Sequence, residues 1–175
     1  DKKKDLEISC SELDRLLLIF SNGLYKVINV TEKFFIGENL LWMDVVRSDV
    51  VFNIVYRNGS ANRSYVKRFR TPTFILNRDY HFFPEHKRSV IQFMETGAKE
   101  IRARASLAPS GRAKFNSIEL EMDDYLIKAA SAIGKRVSNR VVRRVSSQTG
   151  KPRQEKETPP VLPGFKATEE KGGSQ

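Results

Sequence analysis
Apolar and polar positions alternate most clearly over residues 50–70. Val50, Phe52, Ile54 and Tyr56 recur at every second position, the period of a strand with one buried face. Arg57-Asn58-Gly59 breaks the alternation, and Asn-Gly is a strong reversal signal because both residues tolerate positive φ. The chain then returns over Ser64–Arg70, with Tyr65 and Phe69 on one face and Arg68 and Arg70 on the other. The unit is an apolar strand, a turn and a basic strand. A similar unit comes earlier: Leu16–Phe20, the turn Ser21-Asn22-Gly23, then Leu24–Val30, with Lys26 in the place of Lys67. A third runs Ser89–Met94, Glu95-Thr96-Gly97, Ala98–Ala105, and a fourth Tyr125–Ala130, Ser131–Gly134, Lys135–Val145. The turn glycines Gly23, Gly59, Gly97 and Gly134 lie 36, 38 and 37 residues apart. A near-constant period in this range, with weak helical periodicity, predicts a propeller-like all-β repeat array with one small antiparallel sheet per unit. Phe34, Phe35 and Trp42, in the connection after the first unit, are expected to pack between units.

Two flanking stretches depart from this pattern. Residues 1–12 mix three lysines with Asp1, Asp5, Glu7 and Glu12 and read as a leader to a folded domain over 13–147. From 148 to 175 the chain carries Pro152, Pro159, Pro160 and Pro163 and little apolar content beyond Val161, Leu162 and Phe165, a composition that predicts disorder. Pro159–Pro163 reads as a stiff piece of that tail or as a ligand for a proline-reading module.

Charge narrows the function. The 175 residues carry a formal net charge of +10, which points to an anionic partner. Cys10 is the single cysteine, so no internal disulfide framework exists and a reducing compartment fits. No apolar run approaches the roughly 20 residues of a membrane helix. The start, Asp1-Lys2-Lys3-Lys4-Asp5, has neither an initiator Met nor a signal-like run and is read as the edge of a fragment.

Catalytic chemistry is not legible. His81 and His86 flank a Pro-interrupted stretch near Asp79 with no shared-face metal spacing. Cys10 has no histidine beside it, and no Gly-rich phosphate loop occurs. Glu119, Glu121, Asp123 and Asp124 read as a solvated strand end rather than a carboxylate pair for hydrolysis. No catalytic and no metal residue is assigned.

Several tokens carry a family resemblance over residues 13–145: Leu17–Gly23 with Tyr25-Lys26-Val27, Lys33–Leu40, Phe52–Tyr56, Ser64–Phe69, Asn77–Tyr80, Gly134–Ser138 and Val142–Val145. In order and spacing they resemble the C-terminal domain of the A subunit of bacterial type IIA topoisomerases, of the topoisomerase IV rather than the gyrase type. The resemblance implies a β-pinwheel whose basic outer rim carries duplex DNA. It implies that the breakage-reunion tyrosine lies upstream of this chain, and that ATP and Mg belong to a partner B subunit, so no cofactor is expected here. It also implies a cytoplasmic, chromosome-associated bacterial protein. The Gln-Arg-Arg-Gly-Gly-Lys-Gly box of gyrase-type domains is missing, and four turn units are too few for a closed six-bladed ring, so an incomplete, C-shaped pinwheel is expected.

The candidate DNA contacts are Lys26, Arg63, Lys67, Arg68, Arg70, Arg102, Arg104, Arg112, Lys114, Lys135, Arg136, Arg140, Arg143 and Arg144. No element looks suited to read bases in a groove, so sequence-independent phosphate contact is expected. An RNA-binding β-domain and a protein-interaction propeller with incidental charge stay open. Competition by A-form RNA would favour the first, and indifference of duplex binding to salt the second.

Overall fold
Among the described residues every regular element is a strand apart from one short 3-10 turn. The computed structural model describes residues 6–31 and 33–152. Its strands are β1 (Arg15–Phe20), β2 (Leu24–Asn29), β3 (Leu40–Val45), β4 (Val51–Asn58), β5 (Arg63–Arg70), β6 (Tyr80–His81), β7 (Val90–Thr96), β8 (Arg102–Leu107), β9 (Ser117–Glu121), β10 (Ile127–Lys128), β11 (Lys135–Arg136) and β12 (Val142–Ser147). They form three sheets: β3-β1-β2-β6, then β10-β5-β4-β7 with β11 also on β5, then β12-β8-β9. The all-β, propeller-like expectation holds.

The repeat is real but its boundaries differ from the glycine spacing. In each sheet a first strand (β1, β4, β8) pairs with its return strand (β2, β5, β9) and, on its other side, with a third strand (β3, β7, β12). Before that third strand is laid down in the second sheet, the chain crosses back and lends β6 to β2 of the first sheet. The third unit does the same, lending β10 and β11 to β5 before returning as β12. The expected third unit is therefore no hairpin: Gly97, at φ 147, carries the chain from β7 in the middle sheet to β8 in the next. The expected fourth unit is no sheet of its own. Its first part is largely exposed, with Leu126 and Ile133 in solvent, and adds β10 and β11 to β5, while Val142 and Val145 are buried as β12 of the third sheet.

The middle sheet is buried on both sides. Phe52, Ile54, Tyr56 and Phe69 meet Leu17, Ile19, Tyr25 and Val27 of the first sheet. On the opposite face Val55, Val66 and Phe93 meet Ala103, Ala105, Leu120 and Val145 of the third. Asn53, fully buried within β4, donates its amide to the carbonyls of Glu95 (3.2 Å) and Gly97 (2.9 Å) at the crossover. The one-buried-face reading of β4 is thus corrected: a strand in an inner sheet has no outside.

Gly59 plays another part than expected. The β4–β5 loop spans residues 59–62, and its left-handed residue is Asn62 (φ 50). Gly59 is required by crowding, because a Cβ there would lie 2.4 Å from His86 Nδ1 and 2.5 Å from the Arg88–Ser89 backbone. Of the aromatics after the first unit, Trp42 packs edge-on to Phe52 at 5.1 Å, while Phe35 is 90% exposed and packs between nothing. Residues 148 and 149 bridge the third and middle sheets: the Gln148 N–H donates to the Arg102 carbonyl of β8 at 2.8 Å and Thr149 Oγ1 donates to Glu95 of β7 at 2.6 Å. The rest of the expected tail, and residues 1–5 of the leader, lie outside the described residues.

Candidate nucleic-acid interface
Two of the candidate contacts are inside the protein. Lys67 is 4% exposed, and its ammonium donates to three carbonyls, Phe82 (2.5 Å), Ala130 (2.6 Å) and Ala132 (2.9 Å), which uses all its protons. The faces of Tyr56, Phe69 and Phe82 surround it at 5.5–5.8 Å. Burial lowers its pKa from 10.5 to about 8. Arg68, 5% exposed, donates to the carbonyls of Ala98 (2.6 Å) and Tyr125 (3.2 Å) and faces Asp123 at 3.6 Å. Both are staples of the strand exchange, not phosphate contacts. A basic return strand suggests an outer rim, but β5 lies in an inner sheet that has no outer face.

Others are engaged in pairs. Lys26 meets Asp79 at 2.6 Å and Arg104 pairs with Glu119 across β8–β9. Arg140 donates to the carbonyls of Ala108 and Phe115 and to Asn116 Oδ1, so it clamps the loop that carries Arg112 and Lys114. Arg70 and Arg102 sit at the opposite strand ends from Arg63, and Lys135 and Arg136 on the edge of the middle sheet. Arg63, Arg112, Lys114 and Arg143 all lie at the end of the array that holds the β4–β5 and β8–β9 loops, with Arg144 one step into β12.

Strand register shows why position matters more than number. β1, β4 and β8 all run the same way, so one rim of the array holds the turns after Phe20, Asn58 and Leu107 and the starts of β3, β7 and β12. On this upper rim stand Arg57, Arg63, Lys87, Arg88, Arg112, Lys114, Arg140 and Arg143, against only Glu38 and Glu85. The lower rim has Arg15, Arg47, Arg70, Lys99, Arg102, Lys128 and Lys151, against Glu12, Asp14, Asp44, Asp49, Glu95, Glu100, Glu121, Asp123 and Asp124. None of the eight upper cations is in an ion pair among the described residues. One end of the array is a cationic strip and the other a near-neutral mixture.

Comparison with known proteins gives this arrangement a family. The model of the family described as "Topoisomerase C-terminal domain, Bacteroidota" matches residues 2–149. The chain belongs to this family. It is also 28% identical over 133 residues to the A subunit of DNA topoisomerase 4 from Borreliella burgdorferi, covering 74% of the chain and 20% of that protein. The crystal structure of the C-terminal domain of DNA topoisomerase IV aligns with a TM-score of 0.48 and 13% identity, over 78% of this chain and 47% of that one. The chain therefore spans less than half the length of either.

In this topoisomerase C-terminal domain the rim cations that spacing did not place are Arg57, Lys87 and Arg88. Lys87 and Arg88 lie in the connection from β6 to β7, away from any return strand. The run His86-Lys87-Arg88 was the available signal, next to the strand start it precedes.

Proposed function
We propose that this domain holds duplex DNA along its upper rim for a type IIA topoisomerase of the topoisomerase IV type. The observation that carries the proposal is the separation of charge between the two strand-end rims, in a member of the topoisomerase C-terminal-domain family. Five rim cations, Lys87, Arg88, Arg112, Lys114 and Arg143, have side chains not committed to other groups among the described residues; at about 0.9 per neutralised phosphate they allow a salt slope of up to about −4.5. The contacts are made by side chains at loop tips and strand ends, which suits backbone phosphates rather than base edges. In the parent enzyme this domain keeps a segment on the protein during ATP-dependent strand passage, decatenation and relaxation. Bond breakage and rejoining belong to other parts of the A subunit, and ATP and Mg to the partner B subunit. The B subunit is reached through the rest of the A subunit. The setting is the bacterial cytoplasm, at the chromosome.

The test is a salt titration of binding to a duplex of about 40 base pairs. Replacing Arg112, Lys114 and Arg143 by Ala should weaken binding to all sequences alike and flatten the slope by up to about three. Replacing Arg70 and Lys99 on the lower rim should change neither. A slope near zero for the unaltered domain, or equal competition by duplex RNA, would overturn the proposal.

A further inference from the structure
We infer that the notch between the first and second sheets on the upper rim is a seat for one phosphate, lined by Arg57, Lys87 and Arg88 with the asparagines 22, 39 and 62. The notch has a volume of about 450 Å³ and is formed by the β1–β2 turn, the start of β3, the β4–β5 loop and the residues leading into β7. No carboxylate lines it. Its counterpart cavity on the lower rim is lined by Glu100, Glu121 and Asp123 beside Arg102 and Lys151, so an acid-free lining is not a general property of these clefts.

The walls are fixed by hydrogen bonds between segments distant in sequence. The Ser21 N–H donates to the Asn39 carbonyl at 2.9 Å, and the Ile91 N–H to the Ser21 carbonyl at 2.7 Å. The Gly59 N–H donates to Ser89 Oγ at 2.9 Å, and the Ser89 N–H to the His86 carbonyl at 2.8 Å. Asn39 (φ 67) and Asn62 (φ 50) take the left-handed conformation that Asn tolerates best among side-chain-bearing residues. A preformed seat of this kind loses little ordering entropy when it is filled.

The groups on offer are donors in excess. Arg57 adds charge rather than a free donor: its Nη2 is tied to the Val142 carbonyl of the third sheet at 3.1 Å and its Nε is buried out of a ligand's reach, so Lys87 and Arg88 carry the cationic contacts. Asn22 Oδ1 already accepts the Leu24 N–H at 3.1 Å, which leaves its amide nitrogen as the group a ligand can use. Lys87 and Arg88 are exposed, and neither is ion-paired among the described residues. Several cationic and amide donors around one space, with no anion among them, match a group that is anionic and carries several acceptor oxygens. On a rim that carries DNA this is a backbone phosphate, held where the duplex passes from the first sheet to the second. The assignment of the phosphate to DNA rests on the function proposed above; the seat itself rests on the notch.

The experiment uses the whole chain with Lys87→Ala and Arg88→Ala together, and Lys87→Gln with Arg88→Gln as a second variant should the first fold poorly. Binding to a duplex of about 40 base pairs is titrated against salt, and inorganic phosphate is titrated by amide NMR. The seat predicts a salt slope flatter by one to two than that of the unaltered protein, each lost phosphate contact being about 0.9. It also predicts phosphate-induced shifts centred on the amides of Asn22, Asn62 and Ser89 that the variant loses. An unchanged slope together with absent or scattered phosphate shifts overturns the seat, and leaves the DNA-binding proposal standing if the Arg112, Lys114 and Arg143 variant still flattens the slope. Should the unaltered protein bind no duplex, the DNA proposal fails, and the phosphate titration still decides the seat.

Discussion
Replacing Lys67 by Met separates an internal clasp from a DNA contact. Met keeps the length and apolar stem of the side chain and removes the ammonium. Three carbonyls, on the β6–β7 connection and on the loop between β10 and β11, lose a charged donor in a site that is 4% exposed. Hydrogen bonds to charged groups contribute about 2 kcal/mol each. Against them stands the desolvation of the ammonium, which lowers its pKa from 10.5 to about 8, roughly 3 kcal/mol. The donors win, and the variant should be less stable by about 3 kcal/mol, in line with the cost of breaking other buried polar networks. For a chain of this size that is a fall in Tm of about 10 °C. Urea unfolding gives the free energy, and a change in midpoint at constant m would show that stability alone has moved. The salt slope of DNA binding, measured well below the new Tm, should stay where it was. A variant with full stability and a slope flatter by about one would refute the clasp and return Lys67 to the DNA surface.

Two more predictions follow from packing and charge. Gly23→Ala places a methyl 2.3 Å from Phe83 Cζ at a residue with φ +87, and Phe83 is stacked on Tyr56 at 4.3 Å; a loss of about 2–4 kcal/mol is expected in urea unfolding, and a loss below about 1 kcal/mol would contradict the packing. Between pH 8 and about 10 the folded chain binds fewer protons at Lys67 than the unfolded one, so its contribution to stability should rise with pH there and be missing in Lys67→Met. Tyr56, pushed up to about 12 by burial and then by Tyr65, acts in the opposite sense only above pH 10, so the comparison of the two proteins by urea unfolding is made below that; parallel curves would refute the assignment.

The hairpins β1–β2 and β4–β5 were legible because their strands are long, alternate cleanly and are joined by short turns. The exchange of strands was not, because β6, β10 and β11 are two residues each and carry no period at all. Gly23 and Gly97 look alike in sequence, yet one closes a hairpin and the other carries the chain out of a sheet. The same gap explains the candidate contacts. Alternation tells which residues share a face but not whether that face meets solvent or another sheet, and both faces of β5 are covered at Lys67 and Arg68. Arg63, Arg112, Lys114 and Arg143 were readable because they lie at turns and strand ends, where a basic side chain has few ways to be buried.

Strand exchange also bears on what the rim can do to DNA. Bending a duplex over a few turns costs on the order of 1–6 kcal/mol, and contacts can offset that only if the surface does not flex to follow straight DNA. Here each seam between sheets is crossed by more than apolar packing. The first seam has β6 paired to β2, the Phe82 N–H on the Gly23 carbonyl at 3.0 Å and the Ile91 N–H on the Ser21 carbonyl. The second has β10 and β11 paired to β5, the Arg68 guanidinium on two carbonyls and Arg57 on the Val142 carbonyl. A hinge at either seam would have to break backbone pairs and expose buried charge, each at a cost comparable to the bending energy itself. The sheets therefore move as one body on the scale of forces that a bent duplex exerts. The buried cations Lys67 and Arg68 then serve DNA binding indirectly, by keeping the exposed cations of three sheets at fixed separations along one arc.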